Sequence, residues 1–203
     1  VEEILEIPEP PVEIEEPEVI EPEFSELPLT FPAISLSNTA DIDEDKLTDV
    51  EEAIFGTDSG VWDTDGDGYY DGLEIYNLYN PKGFAPIRII DSGLVREYTN
   101  PIWQYRLYYP TSWEIAAVDQ EADQVLISDI GGDYIEVRSM EKELQEDFED
   151  WFAKEASNQF FTDLENITNR FEHDALRRKD GLVAYVDTNT EVYVITYHQA
   201  EVG

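Results

Sequence analysis

Residues 41–81 hold thirteen acidic side chains and a single lysine, and the acids are regularly spaced. Asp41, Asp43, Asp45, Asp49 and Glu52 recur 22 residues later as Asp63, Asp65, Asp67, Asp71 and Glu74. Oxygen donors at this spacing suit a hard divalent cation. Calcium takes six to eight oxygens at about 2.3–2.6 Å, and a twelve-residue loop supplies them from its positions 1, 3, 5, 7, 9 and 12. In the second loop these positions are Asp63, Asp65, Asp67, the carbonyl of Tyr69, Asp71 directly or through water, and Glu74 with both carboxylate oxygens. In the first they are Asp41, Asp43, Asp45, the carbonyl of Leu47, Asp49 and Glu52.

The copies differ at position 6, where the backbone turns sharply. Gly68 is suited to that turn, whereas Lys46 must enter a left-handed conformation at a cost of roughly 1 kcal/mol and brings a cation near the ion. The first loop is therefore expected to bind more weakly. A plain solubilising acidic run would not repeat five carboxylates in register or place Gly-Asp-Gly inside one copy. Magnesium fits less well, because it keeps its waters and demands an octahedron. With no ion, each loop's carboxylates repel one another, so this region is expected to fold only when loaded.

Each loop must be followed by an element that sets its last ligands. The spacing predicts short helices over Asp49–Phe55, ended by Gly56, and from Asp71 to about Tyr79, ended before Pro81. Residues 1–40 hold seven of the 11 prolines and 11 glutamates with no glycine or basic residue, which predicts an extended Pro/Glu-rich spacer. Its apolar residues, Ile4 to Phe31, leave open a docked strand or clamp. Residues 86–203 read as an α+β domain, an antiparallel sheet with a packed helix covering one side. Candidate strands are Gln104–Tyr109, Val125–Ser128, Tyr134–Ser139, Leu182–Asp187 and Val192–Tyr197. Leu144, Phe148, Trp151 and Phe152 share one face of a helix expected over Glu141–Ala156, and a second helix is expected near Asp163–Asn169.

A net charge of −36 argues against binding nucleic acid or an anionic membrane surface. The absence of cysteine removes disulfides and thiolate chemistry. No apolar run reaches the length of a membrane helix, so any anchor or export signal is expected outside residues 1–203. His173 and His198 are the only histidines, and neither sits in a recognisable catalytic motif. Glu172 and Asp174 read as solvated acids, and Trp103, Trp113 and Trp151 as core. Asn166-Ile-Thr168 is a glycosylation sequon by pattern.

The stretch DIDEDKLTDVEEAIFGTDSGVWDTDGDGYYDGLEIY resembles bacterial thrombospondin type 3 repeats, whose units read D-x-D-x-D-G-x-x-D-x-x-E followed by G-T-D-P. Lys46, Ser59 and the Leu-Tyr-Asn-Pro at 78–81 depart from that pattern. The resemblance implies two or more calcium ions, adds Asp58 as a ligand with Asn80 as its weaker counterpart, and points to an exported or cell-surface spacer. Tyr105-Arg-Leu-Tyr-Tyr-Pro-Thr-Ser-Trp113, with the helix around Trp151 and the late strand at 192–197, resembles the PsbP-like α/β/α sandwich superfamily. That resemblance implies a further C-terminal helix beyond Gly203. The combined expectation is a non-enzymatic, exported or cell-envelope calcium binder with a protein partner. The competing expectation is a hydrolase or small-molecule-binding domain carrying the calcium repeat as an appendage.

Overall fold

A computed structural model describes residues 28–32 and 40–200 of the chain. The first helix, α1 (Asp49–Phe55), begins where the Thr48 hydroxyl accepts the Glu51 amide and the Glu51 carboxylate accepts the Thr48 amide. This reciprocal cap, with acids in the first turn, fixes the helix start at the loop's ninth position. Gly56 ends α1 at φ 74°, where the spacing predicts. The next helix, α2 (Asp71–Tyr76), stops short of Tyr79 because Leu78 turns left-handed at φ 63°. Leu78–Asn80 then pairs back on Ile87–Ile89 through Asn80 N–H to the Ile87 carbonyl and Ile89 N–H to the Leu78 carbonyl, both 2.8 Å. A single helical turn, α3 (Ile89–Ser92), leads into the sheet domain.

There, β1 (Val95–Thr99) and β2 (Arg106–Pro110) form a separate antiparallel hairpin. The main sheet contains β3 (Glu114–Ala117), β4 (Gln124–Ser128), β5 (Tyr134–Glu141), β6 (Leu164–Thr168), β7 (Asp174–Arg178), β8 (Val183–Asp187) and β9 (Glu191–His198). Their spatial order is β3-β4-β5-β9-β8-β7-β6, antiparallel throughout. The helix α4 (Phe148–Glu155) carries the chain from the inner strand β5 to the edge strand β6.

Side-chain alternation assigns the two faces of this sheet to two covers. Val192 and Val194 of β9 join Val183 and Tyr185 under Phe148, Trp151 and Phe152 of α4. Ile195, registered against Val137, points the other way with Val125 and Ile127, where Tyr109 and Trp113 close over them. The fold is α+β and mostly sheet, but both faces are covered, not one. The hairpin supplies the second cover, and Ile54 of α1 packs at its edge.

Two predicted helices come out differently. Residues 141–147 are not helical, because β5 continues to Glu141 in full register with β9 and satisfies its backbone there. Leu144 is consequently 75% exposed, and α4 starts only after Asp147. Asp163–Asn169 is not a helix either: after one 3₁₀ turn (Phe161–Asp163), Leu164–Thr168 pairs with β7. Its β-branched Ile167 and Thr168 favour that pairing.

Within the Pro/Glu-rich segment, Leu29 and Phe31 pack against the α4 core, and Arg178 Nη2 donates to the Pro32 carbonyl at 3.0 Å. For these residues the docked alternative holds. The rest of the expected spacer, 1–27 and 33–39, lies outside the described residues. Phe31→Ala is expected to lower the stability of the sheet domain by about 1–2 kcal/mol, as befits a partly buried aromatic. Deleting residues 1–27 should leave the denaturation midpoint in place. Equal effects of the two changes would contradict this division of the segment.

Candidate metal centre

The two acidic loops are built by the same internal hydrogen bonds, position for position. The amide of position 5 donates to the position 1 carboxylate, Asp45 to Asp41 and Asp67 to Asp63, each at 3.2 Å. It also reaches position 3, with Asp45 to Asp43 at 3.3 Å and Asp67 to Asp65 at 3.0 Å. The amide of position 6 donates to the other oxygen of position 1, Lys46 to Asp41 at 3.1 Å and Gly68 to Asp63 at 2.7 Å. That of position 7 donates to position 5, Leu47 to Asp45 at 2.7 Å and Tyr69 to Asp67 at 3.0 Å. Position 9 closes the loop by accepting the amide of position 2, Asp49 from Ile42 at 3.1 Å and Asp71 from Thr64 at 3.0 Å. Turn after turn, the backbone folds around inward-facing carboxylates.

This winding requires left-handed residues at two positions per loop. Gly66 and Gly68 adopt them at φ 80° and 98°, and Glu44 and Lys46 occupy the same positions at φ 62° and 80°. The strain expected at Lys46 is present, and Glu44 doubles it. Each non-glycine residue there costs about 1 kcal/mol or more. Gly66 belongs to the Gly-Asp-Gly of the second loop, and Glu44 is its counterpart 22 residues earlier.

The loops bring three of the predicted donors in each copy together. Ligand oxygens of Asp41, Asp43 and Asp45 lie within 4.8 Å of one another, as do those of Asp63, Asp65 and Asp67. Behind each triad stands the position 12 glutamate, Glu52 at 1% exposure and Glu74 at 2%. Among the described residues, neither oxygen of either glutamate has a donor in hydrogen-bonding geometry, and one oxygen each of Asp43 and Asp65 is likewise buried and unpartnered. Position 3 and position 12 are thus left open in both copies. Unsatisfied buried carboxylates are rare because each forfeits its hydration with no return. The same two positions are left open in both copies, within or beside a triad of aspartates that could hold a metal ion.

The electrostatics agree. Burial, then the charges of Asp67, Asp65, Asp71 and Asp63, push Glu74 up to about 8. Burial, then Asp43, Asp45 and Asp49, push Glu52 to about 7, with the Thr57 hydroxyl partly offsetting them. Burial first and neighbouring carboxylates after it also raise Asp43 and Asp65. A dication reverses every one of these effects. The donor atoms of each triad are all carboxylate oxygens, the kind a hard metal ion takes.

Asp58 lies outside both groups. Its carboxylate accepts the Gly60 amide at 3.2 Å, and its own amide donates to the Thr64 hydroxyl at 2.9 Å. Asn80 is turned into its own loop, accepting the Lys82 amide at 3.2 Å. Two further contacts had no sequence signal. The remaining oxygen of Asp45 accepts the amide of Gly72, at 2.8 Å and 27 residues away, and that of Asp67 accepts the amide of Ala85 at 2.6 Å. In each loop the position 5 carboxylate is thereby tied to the segment that follows. In the sheet domain, His198 is engaged by Glu136 at 3.3 Å and stacks on Tyr134 at 4.5 Å between centroids.

The raised carboxylates fix the sign of a pH effect. Without an ion, Glu52 and Glu74 hold protons in the fold up to about 7 and about 8, but release them near 4.5 when unfolded. Stability of the ion-free repeat therefore falls as pH rises through that window. With calcium the order inverts, because the ion needs the ionised carboxylates and protons compete with it. Thermal melts at about pH 5 and about pH 8, each with chelator and with calcium, should show opposite slopes. Slopes of the same sign would mean that the glutamates do not hold the ion.

No protein-family model, no curated protein and no solved structure matches this chain.

Proposed function

We propose that this chain is a calcium-binding, non-enzymatic protein of the exported or cell-envelope class, in which two ions stiffen a connector leading into a partner-binding α+β domain. The observation that carries the proposal is the pair of buried glutamates, Glu52 and Glu74, each unpartnered behind a triad of aspartates. The resemblance of residues 41–76 to thrombospondin type 3 repeats points the same way. Weak extracellular-type sites need only millimolar calcium.

The connector role draws on the contacts that leave the second loop. Ala85 donates to Asp67, and Leu78–Asn80 pairs with Ile87–Ile89, so the chain between repeat and sheet is hydrogen-bonded back onto the repeat. Ile54 of α1 meets the hairpin side of the sheet core. Loading the loops removes their internal repulsion and fixes these contacts, an effect on shape and protease resistance and not on a chemical step. No helix among the described residues is long and apolar enough to cross a membrane.

Calcium titration of chelator-stripped protein should give two unequal binding events. Glu74→Gln is expected to abolish the tighter one, and Lys46→Gly to strengthen the weaker by about fivefold, the equivalent of roughly 1 kcal/mol of relieved strain. Limited proteolysis should cut within 41–85 only in chelator. If calcium produces no heat and leaves the cleavage pattern unchanged, the proposal is wrong.

A further inference from the structure

The first loop does not complete its own ligand geometry. Asp45, its fifth-position ligand, is 1% exposed, with one oxygen accepting the Leu47 amide and the other the amide of Gly72. Gly72 belongs to the first turn of α2 and lies between Asp71 and Glu74, the last two ligands of the second loop. The approach is backbone to backbone. A β-carbon on Gly72 would stand 2.6 Å from the Asp45 carbonyl oxygen and 2.9 Å from the Leu47 nitrogen. Leu47, whose carbonyl is the seventh ligand, is itself only 4% exposed. The glycine is required by this contact and not by the loop, because the equivalent position of the first loop is Val50, which is exposed.

Resting on the cation-binding reading above, we infer that the two sites are coupled through Gly72, and that filling the Asp63–Glu74 loop assembles the Asp41–Glu52 loop. An ion held by Asp71 and Glu74 fixes the first turn of α2 and so presents the Gly72 amide to Asp45. The first loop, strained at Glu44 and Lys46, cannot take the lead, whereas the second has glycine at both positions. The coupling itself is reciprocal, as any coupling between binding sites must be. The order of filling comes from the strain.

Calcium titrations of the full chain and its variants test this. Glu74→Gln should weaken binding at the first loop by about tenfold or more, and Glu52→Gln should weaken the second loop by the same factor. Gly72→Ala removes no ligand and should reproduce the tenfold loss at the first loop while the second still binds. Terbium luminescence sensitised by Trp62, which adjoins Asp63 and meets Tyr70 edge-on at 4.7 Å between centroids, reports the second loop in that variant. Adding Glu74→Gln to Gly72→Ala should then cost the first loop nothing more. First-loop affinity unchanged in Glu74→Gln overturns the coupling while leaving two calcium sites. Absence of any binding in the unaltered chain overturns the cation-binding reading together with it.

Discussion

A carboxylate taken out of water with no partner costs on the order of several kcal/mol, and the repeat does this at both Glu52 and Glu74. At Glu52 the Thr57 hydroxyl offsets part of that cost. The nearest charges are carboxylates of the same sign, and α1 and α2 have no basic residue in their last turns. The remaining architecture of 41–81 follows from holding these two groups in place. The amide ladders that curl each loop, the left-handed residues at its fourth and sixth positions, and the helix that begins at its ninth all serve to set a glutamate behind a triad of aspartates.

The same constraint organises how the repeat joins its neighbours. Each loop satisfies most of its inward amides internally but leaves one oxygen of its position 5 aspartate for the next segment, Gly72 in one case and Ala85 in the other. Order therefore passes along the chain from the sheet domain toward the N-terminus through successive backbone contacts. The sheet domain has its own apolar cores. Trp151, Tyr185, Val192 and Val194 are almost wholly buried without any contribution from the repeat.

The acidic repeat was legible in the sequence because its carboxylates stand at a fixed spacing and could be counted. α1 was legible to the residue because Thr48, Glu51 and Gly56 mark its ends chemically. Position 12 could be read as a ligand, but its burial could not, since that depends on how the loop closes over it. The contacts of Gly72 and Ala85 depend on backbone amides, which every residue has, so no pattern announces them. Leu144 misled for a related reason: it fits the helical face of Phe148 and Trp151, yet strand pairing of Tyr134–Glu141 with β9 claims the chain first. Periodicity near Asp163–Asn169 likewise could not weigh a local helix against a partner strand ten residues on.

The most direct measurement is a crystal structure of the chain grown in calcium, with anomalous difference density used to place the ions. One peak is expected inside each loop, within about 2.3–2.6 Å of both oxygens of Glu52 in the first and of Glu74 in the second. Loops with no anomalous peak, or peaks held by surface aspartates while Glu52 and Glu74 remain buried and uncoordinated, would contradict the claim that these two glutamates exist to hold a cation.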